Sequence, residues 1–216
     1  MTDALATIEP LLRAARLVAV LTIDRLSDAV PLARALVAGG VRTLEVTLRT
    51  AAGADSAAAI QDALPDAVVG LGTVLTPRDL ELAHRLRLPF AFSPGATPDL
   101  LDAALALGVP FIPGVATASE LMAALSRGFT VVKLFPAEQL GGVGALKALA
   151  GPFPTARFNP TGGVTLPNMS AYLALPKVVA VGGSWLAPPA DVQNGNWPVI
   201  TARAREAMSV PKIGVP

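Results

Sequence analysis

The chain of 216 residues has no cysteine, one histidine, one tyrosine and two tryptophans. Without cysteine there is no disulfide framework, no thiolate nucleophile and no cysteine-held zinc. An imidazole-based metal centre wants two or three ligands. The single candidate, His84 in ELAHRLRL, reads as a surface residue of a helix. Charge is also scarce, at 15% of residues, and balanced at 17 basic to 16 acidic, for a formal net charge of +1. No lysine and arginine cluster could follow a phosphate backbone, so nucleic acid is not an expected partner. Glycine, proline or a charge interrupts each apolar run before the roughly 18 residues of a membrane span, and no membrane partner is expected. The opening MTDALATIEPLLRAARL carries early acids and an amphipathic pattern, unlike the basic start and unbroken apolar core of a signal peptide. A cytoplasmic location is the expectation.

What the chain does have is apolar mass, 52% of its residues, and enough length to bury one core. Residues 1–216 are therefore expected to form one domain. Short apolar runs recur near Leu17 to Leu21, Thr43 to Leu48, Val68 to Leu71, Phe90 to Phe92, Phe111 to Pro113, Val131 to Leu134, Arg157 to Phe158 and Val178 to Val181. Each is followed by turn residues and an Ala- and Leu-rich helical stretch. Helix starts are expected at Thr76-Pro77-Arg78-Asp79, Thr97-Pro98-Asp99 and Thr117-Ala118-Ser119-Glu120, where a hydroxyl, a proline or an acid is placed to satisfy free N–H groups. Eight strand-then-helix units predict an α/β fold with a parallel sheet closed into a (β/α)8 TIM barrel. In that architecture the active site lies at the C-terminal ends of the strands.

Period-two alternation sorts the second run into a polar face, Thr43, Glu45, Thr47 and Arg49, and an aliphatic face that should pack on the helices. Glu45 then points into the barrel. The same rule on VVKLF turns Val131, Lys133 and Phe135 inward. Lysine is rarely buried without compensation, so a structural ion pair with Glu45 is one reading. The other is chemical. Burial disfavours the ammonium, and a free amine can add to a ketone and lose water to give a protonated imine. Lys147, Lys177 and Lys212, the other three lysines, sit where solvation is expected. Thr73, at the end of GLGTV, and Arg49 could grip the carboxylate of a 2-oxo acid.

Two glycine pairs, Gly162-Gly163 in NPTGGVTLPN and Gly182-Gly183 in VGGSWL, follow the seventh and eighth runs, where barrels of this type hold phosphate. Their N–H groups can approach an anion, and Ser184 could add a hydroxyl. Glu138 is expected to serve a helix N-terminus, and Trp185, Trp197 and Tyr172 are expected as packing anchors.

The set LEVTLRT, GLGTV, FSPGAT, VVKLFPAE, FNPTGGV and GGSWL, in this order, resembles the bacterial 2-dehydro-3-deoxy-6-phosphogluconate (KDPG) aldolases, class I enzymes of the Entner-Doudoroff pathway. The resemblance runs from about Leu17 to Trp185. It implies that Lys133 is the Schiff-base lysine and Glu45 the general acid and base. Arg49, Thr73 and Pro94 would contact the pyruvate moiety, with Phe135 packed beside it. Thr161, Gly162, Gly163, Gly183 and Ser184 would hold the phosphate. It further implies no cofactor or metal, a phosphorylated 2-oxo acid as substrate, pyruvate as product and a homotrimer. Asn159 departs from the FCPTGG spelling common in the family and has no assigned role. Aldolases acting on 4-hydroxy-2-oxoglutarate or on the galactonate epimer are the nearest alternatives, and a non-catalytic phosphosugar-binding barrel is an alternative of another class.

Overall fold

The computed structural model describes residues 3–211. Two helices, α1 (Asp3–Ala6) and α2 (Ile8–Ala15), lead into β1 (Leu17–Leu21). Strand and helix then alternate as α3 (Leu26–Ala38), β2 (Thr43–Thr47), α4 (Gly53–Ala63), β3 (Val68–Gly72), α5 (Pro77–Arg85), β4 (Ala91–Phe92) and α6 (Pro98–Leu107). The next units are β5 (Phe111–Ile112), β6 (Gly114–Val115), α7 (Ala118–Leu125), β7 (Val131–Leu134), α8 (Gly142–Ala150), β8 (Arg157–Pro160) and α9 (Leu166–Leu173). The chain closes on β9 (Val181–Gly183), α10 (Pro189–Gln193) and α11 (Trp197–Ser209).

All strand pairings are parallel, in the orders β5-β4-β3-β2-β1-β9 and β6-β7-β8. β5 and β6 are one stave interrupted at Pro113, which has no N–H for the ladder. The Pro113 carbonyl still accepts from the Lys133 N–H at 2.9 Å. Single bridges, Phe158 to Val178 and Thr161 to Gly182, close the seam between β8 and β9. Eight staves thus make the expected (β/α)8 barrel.

Two apolar layers follow from the alternation. Leu44, Val46, Leu71, Val132, Leu134 and Phe158 pack outward with the helices. Val18, Phe90, Phe92, Ile112 and Val131 face inward and meet Ile8 and Leu12 of α2, which stops the N-terminal end of the barrel. Burying a leucine such as Leu12 stabilises by about 1.5–3 kcal/mol. The C-terminal end is left for chemistry.

The caps form as the residues require. Thr76 with Asp79 and Thr117 with Glu120 make reciprocal capping boxes, and Thr97 accepts from the Leu100 N–H. The eighth run differs. Its continuous strand begins at Val181, which faces Leu17 of β1, while Val178 makes a single bridge to Phe158 of β8. Val179 and Ala180 belong instead to the inner cluster. Val179 is both buried and tied to β8, its N–H donating to the Phe158 carbonyl at 3.0 Å. β8 also runs on past Phe158 to Pro160.

Lys177 corrects an expectation: it is half-buried, and its ammonium donates to the Ala150 and Phe153 carbonyls at 2.6 and 2.8 Å, tying off the end of α8. Lys147 and His84 are exposed as expected, and Lys212 lies outside the described residues. No described helix is long and apolar enough to cross a membrane.

Candidate active site

Glu45 on β2 and Lys133 on β7 are separated by 88 positions and meet inside the barrel. Their side chains are 1% and 5% exposed. Nζ lies 2.8 Å from one carboxylate oxygen and 3.1 Å from the other. The Phe92 and Phe135 rings stand 5.0 and 5.8 Å from Nζ, each presenting a π system to the nitrogen. A dry site of this kind amplifies every charge that develops in it.

Glycines on the neighbouring staves let the surrounding groups come close. A Cβ on Gly72, the last residue of β3, would fall 2.2 Å from the Glu45 carboxylate. On β6, Gly114 is in register with Lys133, and a Cβ there would fall 2.2 Å from the Pro94 backbone. Pro94 therefore rests against the stave beside the lysine. Thr73 follows Gly72 at φ 57°, a left-handed conformation that costs a β-branched residue about 1–3 kcal/mol. Its neighbours fix it, since Leu48 donates to the Gly72 carbonyl and Val74 to the Phe92 carbonyl. Thr73 is thus held at the rim of the site. Thr47 is turned inward too, but its hydroxyl is spent on the Leu21 carbonyl at 2.9 Å.

A cleft of about 180 Å³ opens at the same end, lined by Val20, Arg49, Phe135, Thr161, Gly162, Gly163, Val164, Gly182 and Ser184. Arg49 is exposed and forms no ion pair among the described residues. The glycine loop is fixed to the turn after β7: Ala137 and Glu138 donate to the Thr161 and Gly162 carbonyls at 2.8 and 3.0 Å. Gly162 and Gly163 adopt φ of 97° and 75°. Among the described residues no acceptor is found for the N–H groups of Gly162, Gly163 or Ser184. Free N–H groups converging on a cleft suit an anion.

Arg49, Phe135, Thr161, Gly162, Gly163 and Ser184 thus share the cleft; Lys133 and Glu45 do not line it, and Phe135, whose ring stands 5.8 Å from Nζ, is common to both. Gly183 lies under the Trp185 ring, which a Cβ would strike, and does not line the cleft itself; its neighbour Gly182 does. Thr73 and Pro94 follow the ends of β3 and β4, and neither lines the cleft. Val20 and Val164 carry no polar signal, and spacing alone does not single them out.

Glu138 stands near Gly142, the first residue of α8, yet its carboxylate accepts a short hydrogen bond from the Tyr172 hydroxyl. Burial, and then this carboxylate, push the Tyr172 pKa well above the ordinary phenol value. Tyr172, Trp185 and Trp197 all pack against the outer apolar layer.

Comparison with known proteins agrees with this geometry. A family model described as KDPG and KHG aldolase matches residues 8–203. The 2-dehydro-3-deoxy-phosphogluconate aldolase of Pseudomonas aeruginosa is 48% identical over 203 residues, covering 94% of this chain and 92% of the relative. The KHG/KDPG aldolase of Escherichia coli K12 is 48% identical over 205 residues, covering 95% and 96%. Among solved structures, the Legionella pneumophila KDPG aldolase, with pyruvate captured at low pH as a covalent carbinolamine intermediate, superposes with a TM-score of 0.89 at 42% identity, covering 92% of this chain and 97% of that one.

Proposed function

The chain belongs to the KDPG and KHG aldolase family, and on that footing we propose that it is a class I aldolase that cleaves 2-dehydro-3-deoxy-6-phosphogluconate to pyruvate and glyceraldehyde 3-phosphate. The observation that carries this reading is the buried contact of Lys133 with Glu45 next to a cleft supplied with free N–H groups. A lysine held in an aromatic, water-poor setting, with a carboxylate in reach of its nitrogen, has the parts of a Schiff-base catalyst.

The pair can carry one proton on either partner with no change in net charge. With the proton on Glu45, the Nζ lone pair adds to C2 of the oxo acid, and loss of the oxygen as water leaves a protonated imine. Glu45, acting through a water, takes the C4 hydroxyl proton. The C3–C4 bond then breaks, its electrons pass into the imine as an enamine, and the aldehyde departs. Glu45 returns a proton to C3, and hydrolysis frees pyruvate and the amine. Proton transfer by a positioned group contributes typically 10²- to 10⁴-fold.

Around this centre, Arg49 and Thr73 bind the substrate carboxylate, Pro94 and Phe135 pack on its pyruvate part, and Gly162, Gly163 and Ser184 hold the phosphate, with Thr161 at the near edge of that loop. The Escherichia coli relative carries both the KHG and KDPG names, which favours 4-hydroxy-2-oxoglutarate as a second, slower substrate. We further infer a single-domain barrel acting as a homotrimer in the cytoplasm; exposed Leu75 and Met122 offer apolar surface for a partner copy.

Incubation with pyruvate and borohydride, followed by peptide mapping, tests the central claim, with the reduced adduct expected on the Lys133 peptide. An unmodified Lys133 peptide would overturn it. Comparing turnover of the phosphogluconate, its galactonate epimer and 4-hydroxy-2-oxoglutarate tests the substrate, and preference for the unphosphorylated acid would defeat the phosphate assignment. Sedimentation at about three times 22.0 kDa tests the trimer.

A further inference from the structure

Asn159 stands on β8 in register with Lys133 of β7. Phe158 before it belongs to the outer layer, so alternation turns Asn159 and Thr161 to the barrel interior. Asn159 is fully buried. Its carboxamide oxygen accepts the Thr161 hydroxyl at 3.1 Å, and its Nδ2 has no partner among the described residues.

The direction of that hydrogen bond constrains Thr161. The threonine has two donors, and both are committed: its N–H goes to the Leu134 carbonyl at 2.9 Å and its hydroxyl proton to Asn159. A hydroxyl has one proton and two lone pairs. What Thr161 presents to the cleft it lines is therefore an acceptor. A phosphate dianion brings only acceptors, whereas a substrate hydroxyl brings a donor.

We propose that Asn159 is a specificity-setting positioning residue: by taking the Thr161 proton it makes Thr161 an acceptor for the C5 hydroxyl of the substrate, and leaves the phosphate to the N–H groups beyond. This rests on the aldolase reading above. C5 lies between the reacting C4, whose hydroxyl belongs to Glu45, and the phosphate-bearing C6. Thr161 lies correspondingly between the Lys133 level of the barrel and Gly162-Gly163. In the aldol direction the partner is the secondary hydroxyl of glyceraldehyde 3-phosphate.

The experiment measures aldol addition of pyruvate to glyceraldehyde 3-phosphate and to its analogue lacking that hydroxyl, 3-phosphooxypropanal. The parent enzyme should prefer the hydroxylated aldehyde by about tenfold in kcat/KM, the worth of one good neutral hydrogen bond. Asn159→Leu, or Asn159→Ala should the leucine variant not fold, should bring the ratio close to one. Asn159→Asp, which still accepts from Thr161, should keep the preference. Merely structural damage would slow both aldehydes together and leave the ratio in place. Borohydride trapping of pyruvate on Lys133 is run alongside. No adduct in the parent enzyme means that the aldolase reading has failed. An adduct with an unchanged ratio in Asn159→Leu or Asn159→Ala, or a lost ratio in Asn159→Asp, overturns the role of Asn159.

Discussion

Gly72→Ala should disable the general acid and base without unfolding the barrel. Gly72 sits on β3 facing Thr47 of β2, at a φ that lies outside the left-handed region, so alanine fits the backbone and adds to strand propensity. The obstacle is the added methyl, 2.2 Å from a Glu45 carboxylate oxygen, 2.5 Å from its Cγ and 2.7 Å from its Cδ. Ordinary contact begins near 3.4 Å, so the carboxylate must retreat by about 1 Å. A displacement of that size at a reacting group costs about 10²-fold, or about 2.7 kcal/mol of transition-state stabilisation. The loss should fall on kcat. KM for the phosphorylated substrate should hold, because the cleft contacts are untouched. Steady-state kinetics with circular dichroism as a folding control is the assay, and borohydride trapping should still label Lys133, at a reduced rate. Full turnover by a folded Gly72→Ala enzyme would refute the reasoning, since it would mean that Glu45 can work from a different place.

Lys133→Met should abolish both turnover and the pyruvate adduct, and should cost ~3–5 kcal/mol of stability because Glu45 is left buried and unpaired; adding Glu45→Gln should restore much of the Tm, and a single variant as stable as the parent would contradict this. Arg49→Met should raise KM for pyruvate-bearing substrates while leaving the melting temperature within about 1 °C, as an exposed guanidinium without an ion pair carries little stability; an unchanged KM would remove Arg49 from binding. Gly163→Ala combines a φ of 75° with a methyl 2.5 Å from Glu138 Cβ, and it should weaken inorganic phosphate as a competitive inhibitor while pyruvate trapping on Lys133 continues; equal inhibition in both enzymes would refute the phosphate loop. Asp191 has its carboxyl held below the usual value of 3.8, first by the Asn196 amide and then by Arg203. Its contribution is therefore present above that pH and lost as pH falls through the lower folded value. Calorimetry of Asp191→Asn should show a Tm deficit near neutral pH that shrinks in acid, and a deficit independent of pH would argue against the assignment.

Residues were legible in the sequence where one of them violated a rule that the others obeyed. Lys133 breaks an apolar run, and Glu45 puts a carboxylate on the face of its strand that must turn inward. The cost of burying either alone makes a partner necessary, and period two says which way each must face. That is why a contact spanning 88 positions can be inferred from two short stretches. The caps at Thr76, Thr97 and Thr117 were legible for a related reason, because the groups that satisfy each other lie within one helical turn.

Residues whose contribution is space or distant hydrogen bonding were not legible. Gly72 looks like any strand glycine until β2 is laid against β3 and the Glu45 carboxylate takes the volume a side chain would need. Lys177 resembles a solvated loop lysine until the end of α8 and the turn after it, 24 to 27 positions away, bring the Ala150 and Phe153 carbonyls to it. Thr73 gives no sign of a left-handed backbone, since threonine by itself prefers extended conformations. Asn159 falls between these cases. Its spacing from Thr161 is visible, but the direction of the hydrogen bond between them decides whether the cleft meets a donor or an acceptor. Alternation supplies the face on which a group lies; the state in which it meets a ligand is set by what the other staves leave it to bond with.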